Sequence, residues 1–255
     1  MQADPLHNWS DWNTPFSKQA KLIRKIAGGH TNQNYLIKAD KQLCVLRINS
    51  KNSTALGIDR QRELMILEQA SAEDIAPKIL YSSLEYGVLI TEFIEGEIWQ
   101  ASLLQSPEKL SLLLETFDRI HRLKVSTASF DYQQHEENYW QQLLNRKITI
   151  TDDLHRQRER ILPLLTGVPS SNIICHQDPN PTNIIVQEDR VYFLDWEYAA
   201  PAWAAFDYAA LSVEWGIPIE KLPISNKMTI EEINRAKYLY RHLCDLWLLI
   251  QNIDH

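Results

Sequence analysis

Four residues in one stretch of this chain have the types and spacing that phosphoryl-transfer chemistry needs: His176, Asp178, Asn183 and Asp195. Ile173 and Ile174 read as apolar strand leading into His176-Gln177-Asp178. Pro179 and Pro181 lack backbone donors, so the segment between them is neither helix interior nor central strand. Ile184, Ile185 and Val186 read as a strand, Gln187 to Arg190 as a polar turn, and Val191 to Leu194 as the returning strand. Such a hairpin brings Asp195 back beside Asn183, with Asp178 nearby. An activated phosphate asks a protein mainly to position groups and neutralise charge. Magnesium takes hard oxygen ligands and keeps several waters, so Asn183 and Asp195 suffice to hold it against nucleotide phosphates. Asp178, kept off the metal, can orient a hydroxyl and accept its proton. An Asx-rich surface turn without chemistry is the plain alternative, and it explains neither the flanking apolar strands nor the returning Asp195.

The pattern H-x-D-x4-N followed by Asp195-Trp196-Glu197 resembles the aminoglycoside phosphotransferase and choline kinase superfamily, whose fold is related to that of protein kinases. The resemblance implies a bilobal α+β fold, with a small β-rich N-lobe over residues 1–95 and a mostly helical C-lobe over residues 96–255. It also implies catalytic roles for Asp178 and His176, with His176 bracing the loop and Asp178 serving as base.

Such a fold needs elements upstream to hold the nucleotide. The only double glycine among seven glycines, Gly28-Gly29, stands before Thr31, Asn32 and the apolar run Tyr35-Leu36-Ile37, and reads as a tight turn between strands. Arg47 interrupts the apolar strand Leu43 to Ile48, where a charge is costly unless paired. In the choline kinase branch the corresponding loop and arginine lie over the phosphates. The resemblance therefore assigns Gly28, Gly29, Thr31, Asn32 and Arg47 to nucleotide binding, with the fork of Arg47 shared between phosphate and carboxylate. Its partner is expected to be Glu63, which opens an amphipathic stretch ahead of Pro77, with Glu68 as rival. The run Gly87 to Gly96 resembles the last N-lobe strand and hinge, where backbone groups near Glu92 and Ile94 would meet adenine.

Downstream, Ser106 to Leu123, Asn138 to Leu165 and Met228 to Ile253 read as helical. The last carries a stripe of Ile233, Ala236, Tyr240, Leu243 and Trp247. The segment Phe206 to Trp215 resembles the choline kinase helix that begins Phe-Asp and ends Glu-Trp. By that resemblance Asp207 anchors the catalytic loop, while Glu197, Glu214, Trp215 and Trp247 bind the acceptor. A quaternary ammonium is recognised by carboxylate charge and aromatic faces. The pattern departs where Cys244 replaces an expected tryptophan, and the chain stops at His255 short of the family's last helix.

The chain has 255 residues, is 44% hydrophobic and 23% charged, and carries a formal net charge of −7, which speaks against nucleic acid as a partner. It contains no apolar run long enough to span a membrane and no signal-like start. Three cysteines, Cys44, Cys175 and Cys244, lie in apolar settings without metal-ligand spacing, which suits a reducing, cytoplasmic location. The expectation is an ATP- and magnesium-dependent kinase of a small, cationic alcohol, choline or ethanolamine, acting as monomer or dimer. A thiamine kinase is the runner-up, followed by an aminoglycoside phosphotransferase and a catalytically silent nucleotide-binding pseudokinase.

Overall fold

A computed structural model describes residues 4–27, 31–100, 102–103, 106–169, 171–222 and 228–251. Gly28 and Gly29 lie outside the described residues. The N-terminal half is a five-stranded antiparallel sheet with one helix. Its strands are β1 (Lys21–Lys25), β2 (Gln33–Ala39), β3 (Gln42–Ile48), β4 (Ile79–Ser83) and β5 (Val88–Glu92), in the order β1-β2-β3-β5-β4. Helix α1 (Arg60–Ala72) follows β3, started by Asp59, whose side chain accepts from the Arg62 amide at 3.0 Å.

Strand alternation decides what β3 presents. Cys44 and Leu46 are fully buried on one face, together with Tyr35, Ile37 and Ile90, under Leu6, Trp9 and Trp12 of the N-terminal segment. Arg47 therefore points to the other face, toward α1. It pairs across the sheet with Asn34 on β2 and Leu89 on β5, so it sits mid-sheet on three of the longest-paired strands.

The rest of the chain is mainly helical: α2 (Pro107–Arg122), α3 (Tyr132–Asn145), α4 (Asp152–Leu165), α5 (Ala204–Glu214) and α6 (Ile230–Gln251). The expected single helical stretch over 138–165 is two helices. Lys147 adopts φ 55, and Thr151 caps α4 by accepting from the Leu154 amide at 3.2 Å. Residues Ala205 to Ser212 of α5 are all buried, as befits a helix apolar on every side and packed centrally. On α6 the expected stripe is inward, with Ile233 and Ala236 fully buried and Trp247 partly so. No described helix is long and apolar enough to cross a membrane.

Short strands frame the loop between the two halves. Strand β7 (Ile174–Cys175) pairs with β10 (Ala200–Pro201), closing the base of the segment that contains every catalytic candidate. The hairpin of β8 (Ile184–Gln187) and β9 (Arg190–Phe193) is joined at its edge by β6 (Glu97–Ile98). Its turn is tighter than the expected Gln187–Arg190, with Glu188 at φ 54 carrying the reversal. Gly96 lies so close to β8 that a Cβ there would meet the Val186 carbonyl at 2.5 Å. Cys44 and Cys175 are buried, whereas Cys244 is only partly so.

Candidate active site

The β8–β9 hairpin does bring its two ends together. Ile184 pairs with Phe193, and the Leu194 amide donates to the Asn183 carbonyl at 2.7 Å, so Asp195 emerges beside Asn183. Asn183 closes the short 3-10 turn Pro181–Asn183. Its amide nitrogen donates to Asp178 Oδ2 at 2.9 Å and to the Asp178 carbonyl at 3.1 Å. Asn180 donates to the other carboxylate oxygen of Asp178 at 3.0 Å. One loop thus holds Asp178 by two side-chain amides while the hairpin returns Asp195.

Burial pushes the Asp178 carboxyl up to about 7, helped by the nearby Glu197 and Glu214 charges and opposed by the Asn180 and Asn183 hydrogen bonds. A carboxyl poised near neutrality is suited to proton acceptance. His176 is fully buried and held down to about 4 by that burial. Its Nε2–H donates to the Leu194 carbonyl at 2.9 Å, and Nδ1 accepts from the Asp178 amide at 3.3 Å. The neutral ring is therefore saturated as a brace between loop and hairpin. Below it, the fully buried Asp207 on α5 accepts from the His176 amide at 3.0 Å and the Gln177 amide at 2.7 Å, and from His121 Nε2 on α2 at 2.9 Å. Gln177 and Asp195 sit at φ 68 and φ 55, backbone that non-glycine residues adopt at a cost.

The sheet half contributes the positive side. Arg47 Nη1 donates to Glu63 Oε1 at 2.6 Å and lies 3.5 Å from Asp195 Oδ1. Glu68 is exposed, so Glu63 is the partner. Burial disfavours the Glu63 carboxylate, yet Arg47 and Arg60 outweigh it and hold the carboxyl below its ordinary range. Asp195 behaves oppositely: burial first, then Glu197, raise it well above the usual carboxylate range against the pull of Arg47. Four carboxyl groups (Glu63, Asp178, Asp195, Glu197) gather here with two guanidiniums, and the buried Asp195 carboxyl is one that a divalent cation would hold ionised. The buried Nε of Arg47 has no hydrogen-bond partner, an orphan donor that a phosphate oxygen would satisfy. The donor set fits both groups.

The remaining candidates are more scattered. Thr31 is partly buried just before β2, and the neighbouring Asn32 is buried with its amide on Glu197 at 2.8 Å. Glu92 ends β5 with its carboxylate accepting from the Lys78 amide at 2.8 Å, and Ile94 is buried two residues on. Trp215 packs edge-on against Trp99, with centroids 5.6 Å apart, and its indole donates to the Pro179 carbonyl at 2.7 Å. Its ring thus supports the Asp178 loop from below. Glu214 is exposed and accepts from the Tyr240 hydroxyl at 2.9 Å. Glu197 is buried, and Arg60 approaches it at 3.1 Å. Sequence reading missed Arg60 and Tyr240; a helix-opening arginine three residues before Glu63 was the only signal for the first.

A strand-built half bearing an Arg–Glu pair, set over a helical half bearing an Asp–Asn–Asp loop, places the molecule among the bilobal, kinase-like phosphotransferases. Residues 22–238 match the phosphotransferase enzyme family, and the chain belongs to it. Protein LicA of Haemophilus influenzae is 27% identical over 204 residues, which cover 78% of this chain and 60% of that protein. Ethanolamine kinase 2 of Homo sapiens is 25% identical over 182 residues, 67% of this chain and 47% of the relative. The chain thus spans about half to three-fifths of these relatives. Choline kinase LicA from Streptococcus pneumoniae superposes with a TM-score of 0.77 at 23% identity, covering 92% of this chain and 87% of that structure. The GDP complex of aminoglycoside 2'-phosphotransferase-IIIa gives 0.65 at 11% identity, covering 98% of both chains. These structures establish the shared fold; ethanolamine kinase 2 and the Streptococcus pneumoniae LicA are kinases, and the aminoglycoside enzyme is a phosphotransferase.

Proposed function

We propose that this protein transfers the γ-phosphoryl group of ATP, with magnesium, to the hydroxyl of a small cationic alcohol of the choline or ethanolamine kind. One observation carries the reading: the Arg47–Glu63 pair reaches to 3.5 Å from Asp195, on the hairpin that also presents Asn183 and its partner Asp178. In this reading residues 1–95 cover the nucleotide and residues 96–255 supply chemistry and acceptor site. Arg47, with its unpartnered Nε, binds the phosphates, and Gly28, Gly29, Thr31 and Asn32 are the further nucleotide-binding residues of this reading. The backbone from Glu92 to Ile94 meets adenine. Asn183 and Asp195 would hold magnesium, which would neutralise charge on the transferring group.

Asp178 orients the acceptor hydroxyl and takes its proton as the oxygen–phosphorus bond forms and the bond to ADP breaks. Its carboxyl near 7 is compatible with that task. Glu214, fixed by Tyr240, supplies the negative charge for a cationic acceptor, with Trp215 and Trp247 as the aromatic surroundings. A thiamine kinase is the second reading. Cys244, partly buried, stands where the choline kinase pattern carries a tryptophan, and the smaller side chain there is what favours this second reading.

The test is ADP release with ATP and magnesium against choline, ethanolamine, thiamine, kanamycin and no acceptor. One alcohol should be turned over well above water, and Asp178→Asn should cut that turnover about 100-fold or more while nucleotide affinity stays within about twofold. Turnover unchanged in Asp178→Asn would remove Asp178 from the reaction. Nucleotide binding with no acceptor-dependent turnover would leave a binding protein instead.

A further inference from the structure

Arg60 opens α1, and its guanidinium reaches side chains from four segments of the chain. Nη1 lies 2.7 Å from Glu63 Oε2 and 3.1 Å from Glu197 Oε2. Nη2 donates to Asn32 Oδ1 at 2.7 Å and to Ser53 Oγ at 2.9 Å, and Nε donates to Ser53 Oγ at 3.2 Å. Asn32 completes the ring by donating to Glu197 Oε2 at 2.8 Å. The side chains are well sheltered, Arg60 at 14% and Glu197 at 4% exposure.

Three of these partners belong to the sheet half, and Glu197 belongs to the helical half, two residues past Asp195. A guanidinium fork can hold such a set in one plane, which an ammonium cannot. Glu63 spends one oxygen on Arg47 and the other on Arg60, so Arg60 fixes the carboxylate that orients Arg47. Take Arg60 away and Glu197 loses the guanidinium that pairs with it, while Glu63 keeps only Arg47, beside the place where phosphates must enter. Asn32 Oδ1 and Glu197 Oε2 are occupied by this contact and unavailable to a ligand while it stands.

We propose that Arg60, Asn32 and Glu197 form a lock between the two halves, in which Arg60 is a positioning residue and Glu197 its anchor, not an acceptor ligand. The lock holds Glu63 on Arg47 and draws Asn32, just before β2, toward the Asp195 segment. This rests on the phosphotransferase reading for its kinetic consequences, although the contact itself does not.

The experiment compares wild type, Arg60→Ala, Arg60→Lys, Glu197→Gln and the double variant Arg60→Ala/Glu197→Gln. Each of the first and third substitutions should raise KM for ATP by about tenfold or more, with the acceptor KM within about twofold. The double variant should be no worse than the worse single one, as expected for partners in one contact. Arg60→Lys should restore only part of the loss. Amide exchange without nucleotide should quicken in Arg60→Ala both at residues 31–34 and at residues 196–198. A rise in acceptor KM alone for Glu197→Gln, additive effects, or faster exchange confined to α1 would overturn the lock. If wild type binds no nucleotide, the phosphotransferase reading falls, and exchange alone decides the lock.

Discussion

Asp178 and His176 lie two residues apart, and burial moves them in opposite directions, one up to about 7 and the other down to about 4. The cause is the same, since in each case the charged form is disfavoured. His135 shows the effect away from the chemistry. It packs against Phe130, Tyr139 and Tyr198, and burial, with Arg62 nearby, holds it down to about 3. An unfolded histidine takes up its proton near 6.5, so the folded form loses stability as pH falls from there toward 3. Asp178 runs the other way, because its folded carboxyl gains a proton near 7. The clean comparison is therefore wild type against His135→Gln in urea titrations at pH 7 and pH 5. Wild type should lose about 2 kcal/mol more than the variant over that interval; equal losses would mean that His135 is protonated in the fold. At the proposed acceptor site, Glu214→Gln should raise the KM of a cationic alcohol about tenfold and leave that of ATP alone, because one charge partner is lost without altering shape. A matched loss for a neutral alcohol would rule out charge recognition.

At the scale of elements, the hairpin of β8 and β9 is the device that gathers the site, and its position depends on Gly96. A Cβ there would lie 2.5 Å from the Val186 carbonyl and 2.6 Å from Ile185 Cγ2, so Gly96→Ala must push β6 off β8. We expect a loss of about 1–3 kcal/mol in stability together with a fall in kcat, read by urea unfolding and by ADP release. Unchanged values of both would show that the linker has room. Much of this arrangement is legible in the sequence. Two apolar runs around a polar turn foretell that Asn183 and Asp195 meet, and a lone charge in an apolar strand foretells a partner for Arg47. What escapes is whatever depends on contacts distant in sequence. Nothing near Glu197 signals that Arg60, far upstream, will occupy its carboxylate. Nor does Trp215, an aromatic at a helix end, show that its indole will support Pro179. The break between α3 and α4 is similarly hidden, because Lys147 has no composition that marks a left-handed turn.

For the whole molecule, the sheet half needs a cover that the family match does not include. Trp9 and Trp12, with Leu6, lie before residue 22 and bury the face of Tyr35, Ile37, Leu46 and Ile90, and the Tyr81 hydroxyl donates to the Trp12 carbonyl. Trp12→Ala should cost about 3–5 kcal/mol, measured as a shift in the urea midpoint; a small shift would show that the sheet is held from its other face. Asp207 ties the loop of His176 and Asp178 into the core of the helical half, because one carboxylate on the central helix α5 carries two consecutive loop amides and His121. Such a loop has no melting of its own. On slow heating, activity and helical ellipticity should vanish at one temperature, with no interval in which a folded but idle enzyme accumulates.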